Sequence, residues 1–448
     1  MAAPGATPER TSPERTPPGG AGAVRRAPFS DNPRVGARGQ RTQQRILDAA
    51  LRVFADEGYH GASVERIARV AGCSRVSFYQ YFASKEDVFF HLAAQLARQV
   101  SASTEALDLL TTDADGWSAL RAWVARYADI YARYEPVFHA YEAAVESDED
   151  VARAIARTGE DTVARIRARF VTTTLPPRQL DPVIRLLLQV VNHTFDVLGI
   201  LRTVAPAAYP DGRVQVSLTD VLHRTLFGVR ADVNVHGPDG PEPPVLPFDT
   251  DTAALLSGGD DALAGNGDTN RALHALLRSA HDVFVERGYH GARVDDLVEA
   301  AGVSHGAFYR YFRSKDELAR ILTARANQAV AATLTELPDV LGTEPPALRA
   351  ALRRWLRRYN AAHAHEAGML RVWVDAALQD PGLRAESAPP LDWGRRRIAR
   401  YLRPRDFGDV DLDAVVMVAL LGVFGPRQRT PAEVDAAAHV IERGLLGR

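Results

Sequence analysis

Phe54-Ala-Asp-Glu-Gly58-Tyr-His-Gly-Ala62 returns later in the chain as Phe284-Val-Glu-Arg-Gly288-Tyr-His-Gly-Ala292. Working outward, Ala71-Gly-Cys-Ser74 matches Ala301-Gly-Val-Ser304, and Phe78-Tyr-Gln-Tyr-Phe-Ala-Ser-Lys85 matches Phe308-Tyr-Arg-Tyr-Phe-Arg-Ser-Lys315. The alignment runs without a gap from Ile46–Val88 onto Leu276–Leu318, at a constant offset of 230 residues. A gapless run of this length marks an internal duplication. Weaker echoes continue beyond it. Leu120-Arg-Ala-Trp123 with Tyr127 answers Leu352-Arg-Arg-Trp355 with Tyr359, and Arg224-Thr-Leu226-Phe-Gly228 answers Arg443-Gly-Leu445-Leu-Gly447. The duplicated unit is therefore of domain size.

Within each copy the apolar spacing predicts helices. Ile46, Leu47, Ala50, Val53 and Phe54 share one helical face, repeated by Leu276, Leu277, Ala280, Val283 and Phe284. Thr42 is the expected N-cap of the first helix, and Gly58 or Gly288 the left-handed residue that stops it. A short second helix buries Val64, Ile67 and Ala68, or Val294, Leu297 and Val298. A tight turn then leads into a third helix capped by Ser74 or Ser304. Helix, glycine-containing turn and short helix make a helix-turn-helix.

Together Gly-Tyr-x-Gly-Ala-x-Val, Ile-Ala, Ala-Gly-x-Ser and Phe-Tyr-x-Tyr-Phe-x-Ser-Lys resemble the DNA-binding domain of the TetR family. The resemblance covers roughly 60 residues in each copy and implies an all-α chain of two tandem units. Each would be a three-helix DNA-binding domain followed by a ligand-binding and dimerising bundle. The expected divisions are a basic, Pro-rich tail (1–39), first head (40–100), first bundle (101–230), linker (231–268), second head (269–330) and second bundle (331–448). By the same resemblance, the two apolar helices at Val183–Leu201 and Leu412–Phe424 would form a four-helix dimer interface.

The N-terminal turn of a recognition helix reads base edges in the major groove. The exposed candidates are Ser74, Arg75, Val76, Ser77, Tyr79 and Gln80 in the first head. In the second they are Ser304, His305, Gly306, Ala307, Tyr309 and Arg310. The resemblance implies phosphate contacts from Tyr79, Tyr309, Lys85 and Lys315. Phe78, Phe82, Phe308 and Phe312 are expected in the core. Ser63 suits the N-cap of the second helix; Arg293, its counterpart, cannot cap that way but can reach a phosphate.

In the bundles Trp123, Tyr127 and Tyr131 fall at spacing four, partly repeated by Trp355 and Tyr359. Such a stripe is either core or the wall of a cavity for a small-molecule effector. Cys73, the single cysteine, excludes an intrachain disulfide and a Cys-based zinc site. It is expected to pack as a small hydrophobe. Of 448 residues 46% are hydrophobic and 25% charged, the balance of a globular protein with a filled core. No run approaches the ~20 uninterrupted apolar residues of a membrane span. The Pro- and Arg-rich N-terminus lacks the apolar stretch of a secretory signal. A cytoplasmic location is expected. The net charge of −2 does not bear on DNA binding, which needs only a local basic footprint. Arg25, Arg26, Arg34, Arg38, Arg41 and Arg45 face only Asp31, in a segment that is either a solubilising tail or an arm along the duplex.

An enzyme finds little support. Gly58-Tyr-His-Gly61 lacks a strand–helix phosphate-loop context, and His363, His365 and Glu366 lack the spacing that sets two metal ligands on one helical face. Those histidines are expected to be exposed. No cofactor or metal is implied. The expected function is a transcriptional regulator, usually a repressor, that binds a double-stranded operator and answers a small molecule. Its halves would pair within one chain or as part of a homodimer. A constitutive DNA-organising protein without a ligand is the alternative.

Overall fold

The computed structural model describes residues 36–147, 149–229, 231–233, 241–246, 267–425 and 428–448. The expected tail, with Arg25, Arg26 and Arg34, and most of the expected linker lie outside these residues. Among those described the architecture is helical. The first half comprises α1 (Ala37–Gly61), α2 (Val64–Val70), α3 (Arg75–Tyr81), α4 (Lys85–Glu105), α5 (Ala114–Ser147), α6 (Glu149–Arg167), α7 (Pro177–Leu201) and α8 (Asp211–Phe227). The second repeats the order as α9 (Gly267–Gly291), α10 (Val294–Ala301), α11 (His305–Tyr311), α12 (Lys315–Thr335), α13 (Pro345–Gln379), α14 (Pro381–Leu402), α15 (Val410–Phe424) and α16 (Pro431–His439). A π-helical turn at Val440–Leu445 closes the chain.

The heads form as their sequences dictate, with two corrections. Thr42 lies inside α1, where its hydroxyl donates to the Arg38 carbonyl, because the helix starts a turn earlier, after Gly36. At Gly58 φ is 69° and ψ 162°, and Gly288 repeats this at 69° and 168°. These φ values suit glycine, but ψ is extended, so each residue breaks its helix sharply rather than closing it with a left-handed cap. The left-handed role falls to Gly72 and Gly302 in the turns before the recognition helices, at φ 64° and 65°. Phe78, Phe82, Phe308 and Phe312 are buried in the cores of the heads, as expected. Tyr134 and Val137 of α5 join the first core, while Met369, Val372 and Trp373 of α13 join the second.

One continuous apolar core spans both bundles. Its centre is the packing of α7 against α15 and α16, flanked by α8 against α15 and the terminal π turn. Helix α7 is long and apolar enough to cross a membrane, but two-thirds of its most apolar window is buried inside the protein. A charged cluster is set into this core. Asp413 of α15, 1% exposed as a side chain, pairs with Arg224 of α8 at 3.0 Å and with Arg405 at 2.7 Å. The Ser217 hydroxyl donates to the same carboxylate, and both guanidiniums lie over the Phe407 ring. Nearby, Arg213 pairs with Asp409 at 2.6 Å. Removing one partner from such a cluster leaves a buried charge uncompensated, so its completeness matters more than its Coulomb energy. Part of the segment joining the halves also docks on the second. The Leu246 amide donates to Asp392, and Arg396 donates to the Leu246 carbonyl.

Candidate nucleic-acid interface

Each recognition helix has only seven residues, so its orientation depends on its ends. In the first head Ser63 accepts from the Arg66 amide to cap α2, and Ser74 accepts from the Ser77 amide to cap α3. In the second, Ser304 accepts from the Ala307 amide. Arg293 cannot cap, and Asp296 compensates by accepting from the Arg293 amide at 2.9 Å. That carboxylate also favours the positive end of α10. Arg293 is left exposed.

The sequence-predicted reading residues share one outer face. Ser74, Arg75, Val76 and Gln80 are exposed, with Ser77 and Tyr79 half-buried. Ser304, His305, Gly306, Tyr309 and Arg310 are exposed, with Ala307 half-buried. Val76 stands out as an apolar side chain 74% exposed at the centre of this face. Tyr79 and Tyr309 each meet a buried phenylalanine edge-on, Phe78 and Phe308, which fixes the base of each ring.

Lys85 and Lys315 are less free than expected. Each ammonium donates to a main-chain carbonyl after the glycine break, Lys85 to Tyr59 and Lys315 to Tyr289, both at 2.8 Å. Each also lies over that tyrosine's ring. Burial pushes both amines below their ordinary range, the neighbouring acids Glu86 and Asp316 opposing it. These lysines hold the break at Gly58 or Gly288 against the start of α4 or α12.

The sequence did not show that two acids partner the first residues of these helices. Glu65 of α2 pairs with Arg75 at 2.5 Å, and Asp295 of α10 faces His305 at 2.7 Å. Arg75 also donates to the Tyr79 hydroxyl. The side chain opening each recognition helix is thus steered by an acid one turn of the motif away. The signal was present: an acid stands at the same place in both repeats while the residue it steers changes.

Cys73 is half-buried against the first head's core, and burial raises its thiol pKa, so it favours the neutral thiol. In the bundles Trp123, Tyr127, Tyr131, Trp355 and Tyr359 are all buried. His363, expected to be exposed, is 2% exposed instead. Its ring stacks on Tyr359 at 3.8 Å and its Nδ1 lies 2.7 Å from the Tyr359 carbonyl. The side chains of His365 and Glu366 lie outside those described. Among the described residues no group of His, Cys, Asp and Glu is arranged to hold a metal.

The family model for bacterial regulatory proteins of the tetR family matches residues 46–92 and 276–321. A transcriptional repressor of Corynebacterium glutamicum, AcnR, is 33% identical over 107 residues, 22% of this chain and 55% of that protein. The repressor NicS of Pseudomonas putida is 34% identical over 104 residues, 22% of this chain and 48% of its own. The activator FasR of Mycolicibacterium smegmatis is 51% identical over 43 residues, 10% of this chain and 20% of its own. The matched stretches thus span only about half the length of these repressors. Both matched segments fall on the heads built above, from α1 to α4 and from α9 to α12. This chain carries two DNA-binding domains of the tetR family in tandem.

Proposed function

We propose that the protein is a sequence-specific regulator of transcription whose two heads grip one operator with unlike half-sites. What carries this reading is the contrast within the recognition helices: an identical frame presenting different exposed side chains. Arg75 stands where the second head has His305, Val76 where it has Gly306, Ser77 where it has Ala307, and Gln80 where it has Arg310. Arginine can clamp a guanine and glutamine an adenine, each through two hydrogen bonds, and valine suits a thymine methyl. In this reading Tyr79 and Tyr309 hold phosphate, which positions without specifying. Ser63, Ser74 and Ser304 orient the reading helices through their caps. Lys85 and Lys315 set the same frame from within, their outer surfaces beside the phosphates, and Arg293 adds a phosphate contact of its own.

The two halves act as an intrachain pair, a reading supported by the shared core between α7, α8, α15 and α16. A small molecule held in a bundle would alter the spacing of the heads and release the operator. The relatives named above include repressors and an activator, so the sign of the output is left to the promoter's geometry. Selection of bound duplexes from a random pool, followed by artificial operators carrying either half-site twice, tests the proposal. Each mismatched base pair should cost ~1–3 kcal/mol, so both symmetric operators should bind measurably less tightly than the selected one. A selected site that is a perfect palindrome bound by one chain would overturn it. Light scattering at micromolar concentration should give one chain per operator; a two-chain particle pairing between chains would overturn the intrachain pair.

A further inference from the structure

We infer that Glu65 and Asp295 are specificity-determining positioning residues: each pins one edge of the side chain that opens its recognition helix and repels any duplex that does not reward the other edge. The inference rests on the regulator reading above and deepens it. It starts from the repeat. Glu65 and Asp295 stand at the same place, second in α2 and second in α10, while their partner has changed from Arg75 to His305. An ion pair that only ties two helices together has no reason to keep its sign. The pair joining α1 to α2 shows this, since Glu57–Arg66 of the first head returns reversed as Arg287–Asp296 in the second. The acid beside the recognition helix has kept its sign.

Support of the fold does not account for that. Ser63 caps α2 and Asp296 caps α10, so neither Glu65 nor Asp295 is needed for the cap. Their side chains are 51% and 79% exposed, and an ion pair at such a surface adds little to stability. Either acid suits the positive end of its helix, yet that gain is the same whichever duplex is bound. Both stand instead beside the face that would meet DNA, where a carboxylate is repelled by phosphate. A residue that weakens every DNA contact belongs there only if it improves discrimination, which is a difference between affinities.

The chemistry of each pair supplies the discrimination. Arginine has five N–H donors in a planar fork. Glu65 takes one from Nη1 at 2.5 Å, the Tyr79 hydroxyl takes one from Nη2 at 3.4 Å, and the guanidinium lies over the Tyr79 ring. The fork is thereby held in one orientation, with donors remaining for the O6 and N7 of a guanine. Without Glu65 the same arginine swings onto any phosphate, which carries no sequence information. In the second head Asp295 lies 2.7 Å from Nε2 of His305. An ionised carboxylate only accepts, so Nε2 carries the hydrogen and the neutral ring keeps Nδ1 as an acceptor. Such an acceptor suits the amino group of adenine or cytosine, not the O6 and N7 of guanine. One device thus gives the two heads opposite preferences, donors in the first and an acceptor in the second.

The test measures the full chain on the duplex selected from a random pool and on a shuffled duplex of the same length, at one salt concentration. Glu65→Gln and Asp295→Asn keep the size of each side chain and remove its charge. The ratio of the two affinities should fall about tenfold in E65Q and about fivefold in D295N, the scale of one base contact. Shuffled DNA should meanwhile be bound more tightly than by the parent chain, because a charge facing phosphate is gone. A merely structural loss would weaken both duplexes together and leave the ratio alone. Removing the reading side chain should remove the effect, so E65Q in the R75A background and D295N in the H305A background should not lower the ratio further. An unchanged ratio in either head, weaker binding of shuffled DNA, or a full fall persisting without the reading side chain would each overturn the inference. If the parent chain does not distinguish the two duplexes, the regulator reading fails first and this inference with it. If it does distinguish them and the ratios stay fixed, this inference alone has failed.

Discussion

The heads and the bundles have diverged in opposite ways. Between the two heads the turn glycines and the buried Phe54/Phe284, Phe78/Phe308 and Phe82/Phe312 persist, while the outer face of α3 differs from that of α11. Between the two bundles the outline persists, and the differences lie inside, among buried polar atoms. Tyr131 of the first bundle donates to Asp196, which His139 and His193 also approach at 3.4 and 3.0 Å. The equivalent turn of α13 carries His363, stacked on Tyr359 and, among the described residues, without a carboxylate partner. A reading surface changes without disturbing its frame because exposed substitutions cost little. A buried polar group changes only where a new partner is found, so each bundle has settled on its own hydrogen-bond set.

The largest expected break in this comparison is at Asp413. The repeat places Leu180-Asp181-x-Val183 over Leu412-Asp413-x-Val415, but Asp181 is partly exposed and pairs with Arg167 at 2.7 Å. Asp413→Ala would strand Arg224 and Arg405 in the core and should cost about 3–5 kcal/mol. Asp181→Ala should cost under about 1 kcal/mol, as an exposed pair does. Urea denaturation compares them, and equal losses would mean that the two sites are equivalent after all.

A smaller effect is expected at His363. Burial pushes its pKa down to about 4, partly offset by the Tyr359 carbonyl. The ring is neutral in the fold, while in the unfolded chain it takes up a proton below its ordinary value near 6.5. Stability contributed by the neutral ring is present above about 6.5 and is lost as pH falls towards 4. At pH 5 the loss amounts to about 2 kcal/mol. His363→Gln should therefore narrow the stability difference between pH 7 and pH 5 by about that amount. An unchanged difference would place the acid sensitivity elsewhere.

The smallest effect separates the two caps. Ser63→Ala should destabilise the first head by about 1 kcal/mol, whereas Arg293→Ala should change the second by no more than a few tenths, because Asp296 supplies the cap. Thermal unfolding of the full-length variants resolves the pair.

These contrasts also show what the sequence could reveal. The heads were legible because local chemistry decides them: Gly72 and Gly302 must turn, Ser74 and Ser304 must cap, and the phenylalanines must be buried. The exposure of the outer face followed, since whatever is left out of that core points outward. The internal partner of Lys85 was not legible, because it is the Tyr59 carbonyl, 26 positions away, exposed by a glycine break whose geometry no spacing reports. His363 looked like a surface residue because its neighbours in sequence are polar, while what buries it is Tyr359 below and Gly425 alongside. Asp413 and Arg224 are 189 positions apart, and nothing in either local pattern points to the other.

The contact of α7 with α15 inside one polypeptide has a consequence for inheritance. Segments joined by a chain meet at an effective concentration of about millimolar or more, whatever their abundance. Under the intrachain pairing proposed above, pairing is first order, and the number of paired bodies grows in proportion to the chains made instead of with their square. Scarcity changes how many pairs exist but not the fraction that is paired. A daughter cell that receives a single chain at division receives a complete pair of heads.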